Sequence, residues 1–283
     1  MSNIELDIVT RGSVSGGVKG EIVNTLKDCF RQFGPRVPYK VEILITDTEA
    51  ILRDYLRQEK FKMGVLDDSL EDTICLYDIL KGYPRINISS EKLKGYSKLA
   101  RLGLIRHQVA HSILHGSMEY RIFKIPEDCR QIAMVKGIEL NILDLAMHKL
   151  ALAIKDGEAS KLLVEHNFVN CQLSFALEWI QPQLEARFAP KPIKIDRQQK
   201  FISQILLLKP MLFSLPLMTD QHSKKIAIEK QVLLGRRIEQ LLQGLVVNEQ
   251  NKLLQVASLI TDALTEDTHY NMDSALHQAL SIA

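Results

Sequence analysis

The sequence predicts an α+β protein in which a small mixed sheet with packed helices is followed by an all-helical C-terminal part. Short alternating apolar segments in the first half, each bounded by turn residues, read as strands. Long apolar stretches with helical period occupy the chain beyond about residue 155, with no convincing strand among them. Between these regions, "LGLIRHQVAHSILHG" from Leu102 to Gly116 holds three of the eight histidines. The predicted division is therefore a domain over 1–155 and a helical domain over 156–283.

The segment "IELDIV" reads as a first strand, and "GEIVNTLKDCFRQFG" has helical spacing and stops at Gly34. "YKVEILIT" alternates as a strand should, and "DTEAILRDYLRQE" starts a second helix with Asp47 or Thr48 as its N-cap. "DTICLYD" and "RINIS" are two further short strands. Ser97 to His115 supports one continuous helix, with Gly116 where a left-handed cap is expected. In the C-terminal part, helices are predicted over 157–188, 197–214, 219–245, 249–264 and 271–282. Arg187–Lys200, with two prolines and several basic residues, is the candidate linker.

Composition narrows the function classes. The 46% apolar content can fill a core, and a net charge of +2 supplies no bulk attraction to nucleic acid or an anionic membrane. Cys29, Cys75, Cys129 and Cys171 are widely separated, so they read as reduced thiols rather than a zinc knuckle or a disulfide framework. The acidic N-terminus lacks the basic-then-apolar run of a signal peptide, and a cytoplasmic location is expected. Phe201–Met218 approaches membrane-span length, but Lys209, Pro210 and Pro216 interrupt it, which favours a buried helix with a proline kink. "RGSVSGGVKG" lacks the spacing of either common glycine-rich phosphate loop.

On the central helix, His107 and His111 lie about 40° apart around the axis and one turn apart along it, so both rings reach one point. Ala100, Gly103, Leu104, Ala110 and Leu114 surround them. Imidazoles leaving an apolar face need partners, and zinc takes two such rings as half of a tetrahedral shell. On "KGIELNILDLAMHKLALAI", projection puts Glu139 with Ile142, Leu143, Ala146, Leu150 and Ala153, whereas Asn141, Asp144, His148 and Lys155 share the opposite side. Glu139 is thus expected to be the inward carboxylate, and a positive ion would offset the cost of burying it.

The stretch Leu102–Gly116 resembles the active-site helix of the zincin-like metallopeptidases, and "HQVAHSILHG" is especially similar to the small gluzincins. The resemblance covers roughly residues 35 to 155, including the strand "RINIS" before the helix. It implies a zinc-dependent peptidase fold with zinc held by His107, His111 and a downstream glutamate, here Glu139. It also implies a peptide or protein as substrate or ligand. The pattern usually places an acidic residue four positions after that glutamate, where this chain has Leu143 followed by Asp144. His115, about 80° from His107, belongs with packing or with the shell behind the ligands.

The departure with chemical consequence is Gln108, which stands where the family has its glutamate general base. That glutamate takes a proton from the attacking water and passes it to the leaving amine, and an amide cannot titrate. A pseudo-peptidase, a hydrolase with another base, and an enzyme whose glutamate has been replaced all fit the residues. The alternative from another class is a non-catalytic helical interaction protein whose histidines are structural.

Overall fold

A computed structural model describes residues 4–64, 75–188, 196–220 and 225–283. It is an α+β structure, mostly helical, with one four-stranded mixed sheet. The chain forms two compact units, Met1–Met118 and Glu119–Ala283. The division thus falls near residue 118 rather than at 155, because residue 155 lies inside an unbroken helix, Leu140–Glu165.

The first unit begins with β1 (Glu5–Arg11), α1 (Gly16–Phe33) and β2 (Lys40–Thr46). β1 and β2 pair in parallel, a connection that needs a crossover element, and α1 supplies it. The hydroxyl of Ser15 caps α1 at Val18 N. From β2 the chain enters α2 (Glu49–Lys62), whose N-cap is Thr48, as the sequence suggested. It continues to the edge strand β3 (Cys75–Asp78), antiparallel to β4 (Arg85–Ser89), and β4 lies parallel to β2. The sheet order is therefore β1-β2-β4-β3. Residues 72–74 of the predicted third strand lie outside the described residues.

Alternation divides the sheet into two faces. Leu44 packs with Leu52 and Leu56 of α2. The short helix α3 (Ser90–Leu93) follows β4, and then comes α4 (Lys98–Leu114), the histidine helix. Ser97 caps α4 at Ala100 N, and Arg101 ties it to Glu21 of α1 at 3.1 Å. α4 packs on α1, β3 and β4.

Gly116 is not among the glycines with a left-handed backbone, so the predicted cap is absent. His115 is the cap residue, and its N–H donates to His111 O at 2.8 Å. The glycine is needed for a different reason: a Cβ there would stand 2.6 Å from Ser112 O and 3.0 Å from Pro84 Cγ. Gly116→Ala is therefore expected to destabilise the protein by about 1–3 kcal/mol through overpacking against backbone, seen as a lower urea midpoint at unchanged slope.

The second unit contains α5 (Glu127–Val135), α6 (Leu140–Glu165), α7 (Val169–Phe188), α8 (Arg197–Thr219), α9 (Lys225–Leu242), α10 (Val247–Ala263) and α11 (Thr268–Leu280). α6 and α8 form its central pair. Gly157 lets them approach, since a Cβ there would lie 3.2 Å from Leu212 O. The helix predicted over 157–188 is in fact the end of α6 and all of α7. Asn167 breaks it at φ 62°, with Phe168 N bonded to Leu163 O and Asn167 N to Val164 O, the paired bonds of a Schellman ending. α5 was not foreseen. Half of the candidate linker, 189–195, lies outside the described residues, as do 221–224 of the helix predicted over 219–245.

α8 alone among the described helices is long and apolar enough to cross a membrane, and 67% of its most apolar window is buried. Pro210 and Pro216 sit within it, both buried. Cys29, Cys129 and Cys171 are buried and form no disulfide among the described residues.

Candidate functional site

The site is built on α4, where residues 107 to 112 are all buried. Six consecutive buried positions leave no wet face on this part of the helix, so its polar side chains must find partners inside the protein. The histidines find one another. His107 Nε2 lies 3.2 Å from His111 Nε2, and His111 Nδ1 lies 3.1 Å from His115 Nδ1. The one-turn spacing read from the sequence thus brings all three rings into a continuous row, with His111 in the middle.

The ring planes suit this arrangement. His107 meets His111 edge-on with centroids 4.7 Å apart, and Tyr77 of β3 stacks on His111 at 6.0 Å and 16°. The Tyr77 hydroxyl donates to the carbonyl of His115, so the edge strand holds the end of the histidine helix. No motif in the sequence marks Tyr77. The available signal was its place in β3, where it pairs with Ile86 and so points to one face while Asp78 and Arg85 point to the other.

Two neutral imidazole nitrogens can face each other at 3.2 Å only if one carries a proton or both turn lone pairs to a cation. The row is consistent with either. With protons at His107 Nε2 and His111 Nδ1, it is a directional chain ending at His115. With a cation between the two Nε2 atoms, the His111 proton must sit on Nδ1 and bond to His115. Gln108 is also buried, at 7% exposure, within this segment.

The face of the sheet opposite Tyr77 carries a cluster of charges. Arg85, 1% exposed, lies 3.0 Å from Asp78, 3.5 Å from Glu42 and 3.7 Å from Glu59. Lys81 bonds Glu42 at 2.9 Å and Glu59 at 3.3 Å. Burial alone would lower the pKa of the Lys81 amine, but the Glu42 hydrogen bond and charge outweigh it and raise the value.

Glu139 and Asp144 belong to the second unit, and both are exposed. The expectation of an inward Glu139 is corrected by the helix boundary. Gly137, at φ 65°, ends α5, and Glu139 is the N-cap of α6 with extended backbone (φ −69°, ψ 148°). Projection at 100° per residue holds only inside a helix, so it misplaces a residue just before one. Leu143, Ala146, Leu150 and Ala153 are buried together, as projected.

Two groups among the described residues have donors placed to hold a metal, one containing His107 and His111 and one formed by Asp128, Cys129 and His277. In the second, His277 Nε2 already pairs with Asp128 at 3.1 Å. Burial and the Asp128 charge push the Cys129 thiol up to about 11, which keeps it protonated at neutral pH. The first group is the better donor set.

Fold and site together define an α+β protein with a buried histidine row on the helix beside its sheet. Compared with protein-family models, curated proteins and solved structures, the chain gives no match.

Proposed function

We propose that α4 carries a zinc site of the zincin-like metallopeptidase type, in which His107 and His111 are ligands and Gln108 has replaced the general base. The observation that carries this reading is the 3.2 Å separation of the two Nε2 atoms. Zinc takes imidazole nitrogens at about 2.0–2.1 Å in a tetrahedral shell, which puts two ligand nitrogens about 3.3–3.4 Å apart. The pair fits that span. His111 Nδ1 donating to His115 is also the support that ligating histidines normally receive, because it fixes the tautomer and the ring orientation.

When bound, zinc supplies Lewis acidity toward a carbonyl and lowers the pKa of water. The chain's own residues would do the rest. His107 and His111 hold the ion, His115 and Tyr77 hold His111, and the Gln108 amide donates or accepts hydrogen bonds without moving a proton. The resemblance to the gluzincins rests on Leu102–Gly116, and the fold agrees with it at the coarse level of a mixed sheet flanked by a histidine helix. A peptide or protein is the substrate or ligand this reading implies.

Metal content of the protein purified without chelator tests the proposal. About one zinc per chain is expected, lost from His107→Ala and from His111→Ala while circular dichroism shows both still folded. Equal metal in parent and variants would overturn it. Glu139→Ala and Asp144→Ala, titrated alongside, are expected to keep the metal, since both side chains are exposed. Glu139→Ala is expected to change stability by no more than about 0.5 kcal/mol, as for other exposed positions.

A further inference from the structure

The second unit contains a cleft of about 570 Å³ between the segment leading into α5 and the side of α6 that carries Asp144, His148 and Lys155. These three side chains are the polar stripe that the sequence places opposite the buried face of α6, and the histidine row on α4 does not account for them. The cleft floor is apolar, with Met147, Ala151 and Leu152. Its walls hold Arg121, Lys124, Arg130 and Lys155 against two carboxylates, Glu127 and Asp144. Lys124 and Arg130 form no ion pair among the described residues. An open cleft with surplus positive charge over an apolar floor suits a small anion with an apolar body.

Lys155 differs from the other cations of the cleft. Its ammonium donates to the carbonyl of Tyr120 and lies 5.2 Å over the Phe123 ring. Burial, and then the charge of Arg121, lower its pKa to about 8. Near neutral pH such an amine is unprotonated far more often than an ordinary lysine, and the unprotonated form is the nucleophile, as in lysines desolvated beside another cation.

We propose that this cleft binds a small anionic carbonyl compound and that Lys155 condenses with its carbonyl carbon. The amine nitrogen forms the new C–N bond, the carbonyl oxygen leaves as water, and the product is an imine, with no change of oxidation state. Lys124 and Arg130 hold the anionic group, and Met147 and Leu152 cover the apolar body.

The test uses the full chain and pyridoxal 5′-phosphate, which joins an aldehyde to a phosphate, with borohydride trapping and peptide mapping. At pH 7 an amine with pKa about 8 is unprotonated on the order of 100 times more often than an ordinary lysine, so Lys155 should label at least about tenfold faster than the median lysine. Lys124→Ala/Arg130→Ala should slow that labelling at least about fivefold, the loss of roughly 1 kcal/mol of charge-assisted binding, while leaving labelling by the neutral aldehyde propanal unchanged. Labelling of Lys155 no faster than that of other lysines would overturn the proposal. So would a pyridoxal phosphate reaction indifferent to the double variant.

Discussion

Gln108→Glu is expected to leave the fold and the metal content unchanged and to raise chelator-sensitive peptide hydrolysis by about 100- to 10,000-fold, the usual worth of a general base. Glutamate and glutamine have nearly the same shape, so packing of the buried stretch 107–112 should survive the exchange. The difference is a proton: a carboxylate can take one from water and hand it to a leaving amine, and an amide cannot. The new charge enters a site 7% exposed, where it is costly unless a cation faces it. The proposed zinc is that cation. The variant therefore also reports on metal, because without it Gln108→Glu should lower the urea midpoint, whereas with it the midpoint should hold. A parent that cleaves a peptide library as fast as the variant would show that position 108 has no part in proton transfer. Bound zinc with silence in both proteins would retain the metal site and favour a binding role over hydrolysis.

The sequence was most informative where a residue acts through local spacing. The one-turn interval between His107 and His111 needs only helical geometry, and the rings meet as that geometry requires. Strands β1, β2 and β4 and the cap Thr48, one of the two residues the sequence offers for it, were legible for the same reason, since alternation and side-chain capping are properties of a few adjacent residues. Errors arose at helix ends. Gly137 and Asn167 both adopt left-handed backbone and end helices, but an apolar periodicity that continues past them conceals the break. One consequence was the join of 157–165 to α7; the other was Glu139 treated as an interior helical position. Gly116 shows the converse problem, a glycine whose role is close approach to Ser112 and Pro84, which depends on tertiary packing. Tyr77 was invisible for that reason too, because its partner is a backbone carbonyl 38 residues away.

Arg85→Met should cost about 3–5 kcal/mol, the range for removing one partner from a buried ion pair. Arg85 is among the largest fully buried side chains and stands on β4 beside three carboxylates, Asp78, Glu42 and Glu59. Methionine fills a similar space, so lost packing is small and lost charge dominates. Lys81 remains near Glu42 and Glu59, but among the described residues Asp78 would keep only Asn87, whose amide donates to it at 2.6 Å, and Leu80 N–H at 3.1 Å. Arg85→Lys should recover only part of the loss, since an ammonium cannot reproduce the planar fork that reaches several carboxylates at once. Urea titration of the two variants checks the ranking, and equal stability of Arg85→Met and the parent would mean that the carboxylates are satisfied without the arginine. Because Asp78 follows Tyr77 on the edge strand, the same variants separate strand anchoring from the histidine row. The first face of the sheet carries Tyr77 and the α4 contact, the other carries the charge cluster, and metal bound per folded molecule should be unchanged at low denaturant even as the urea midpoint falls.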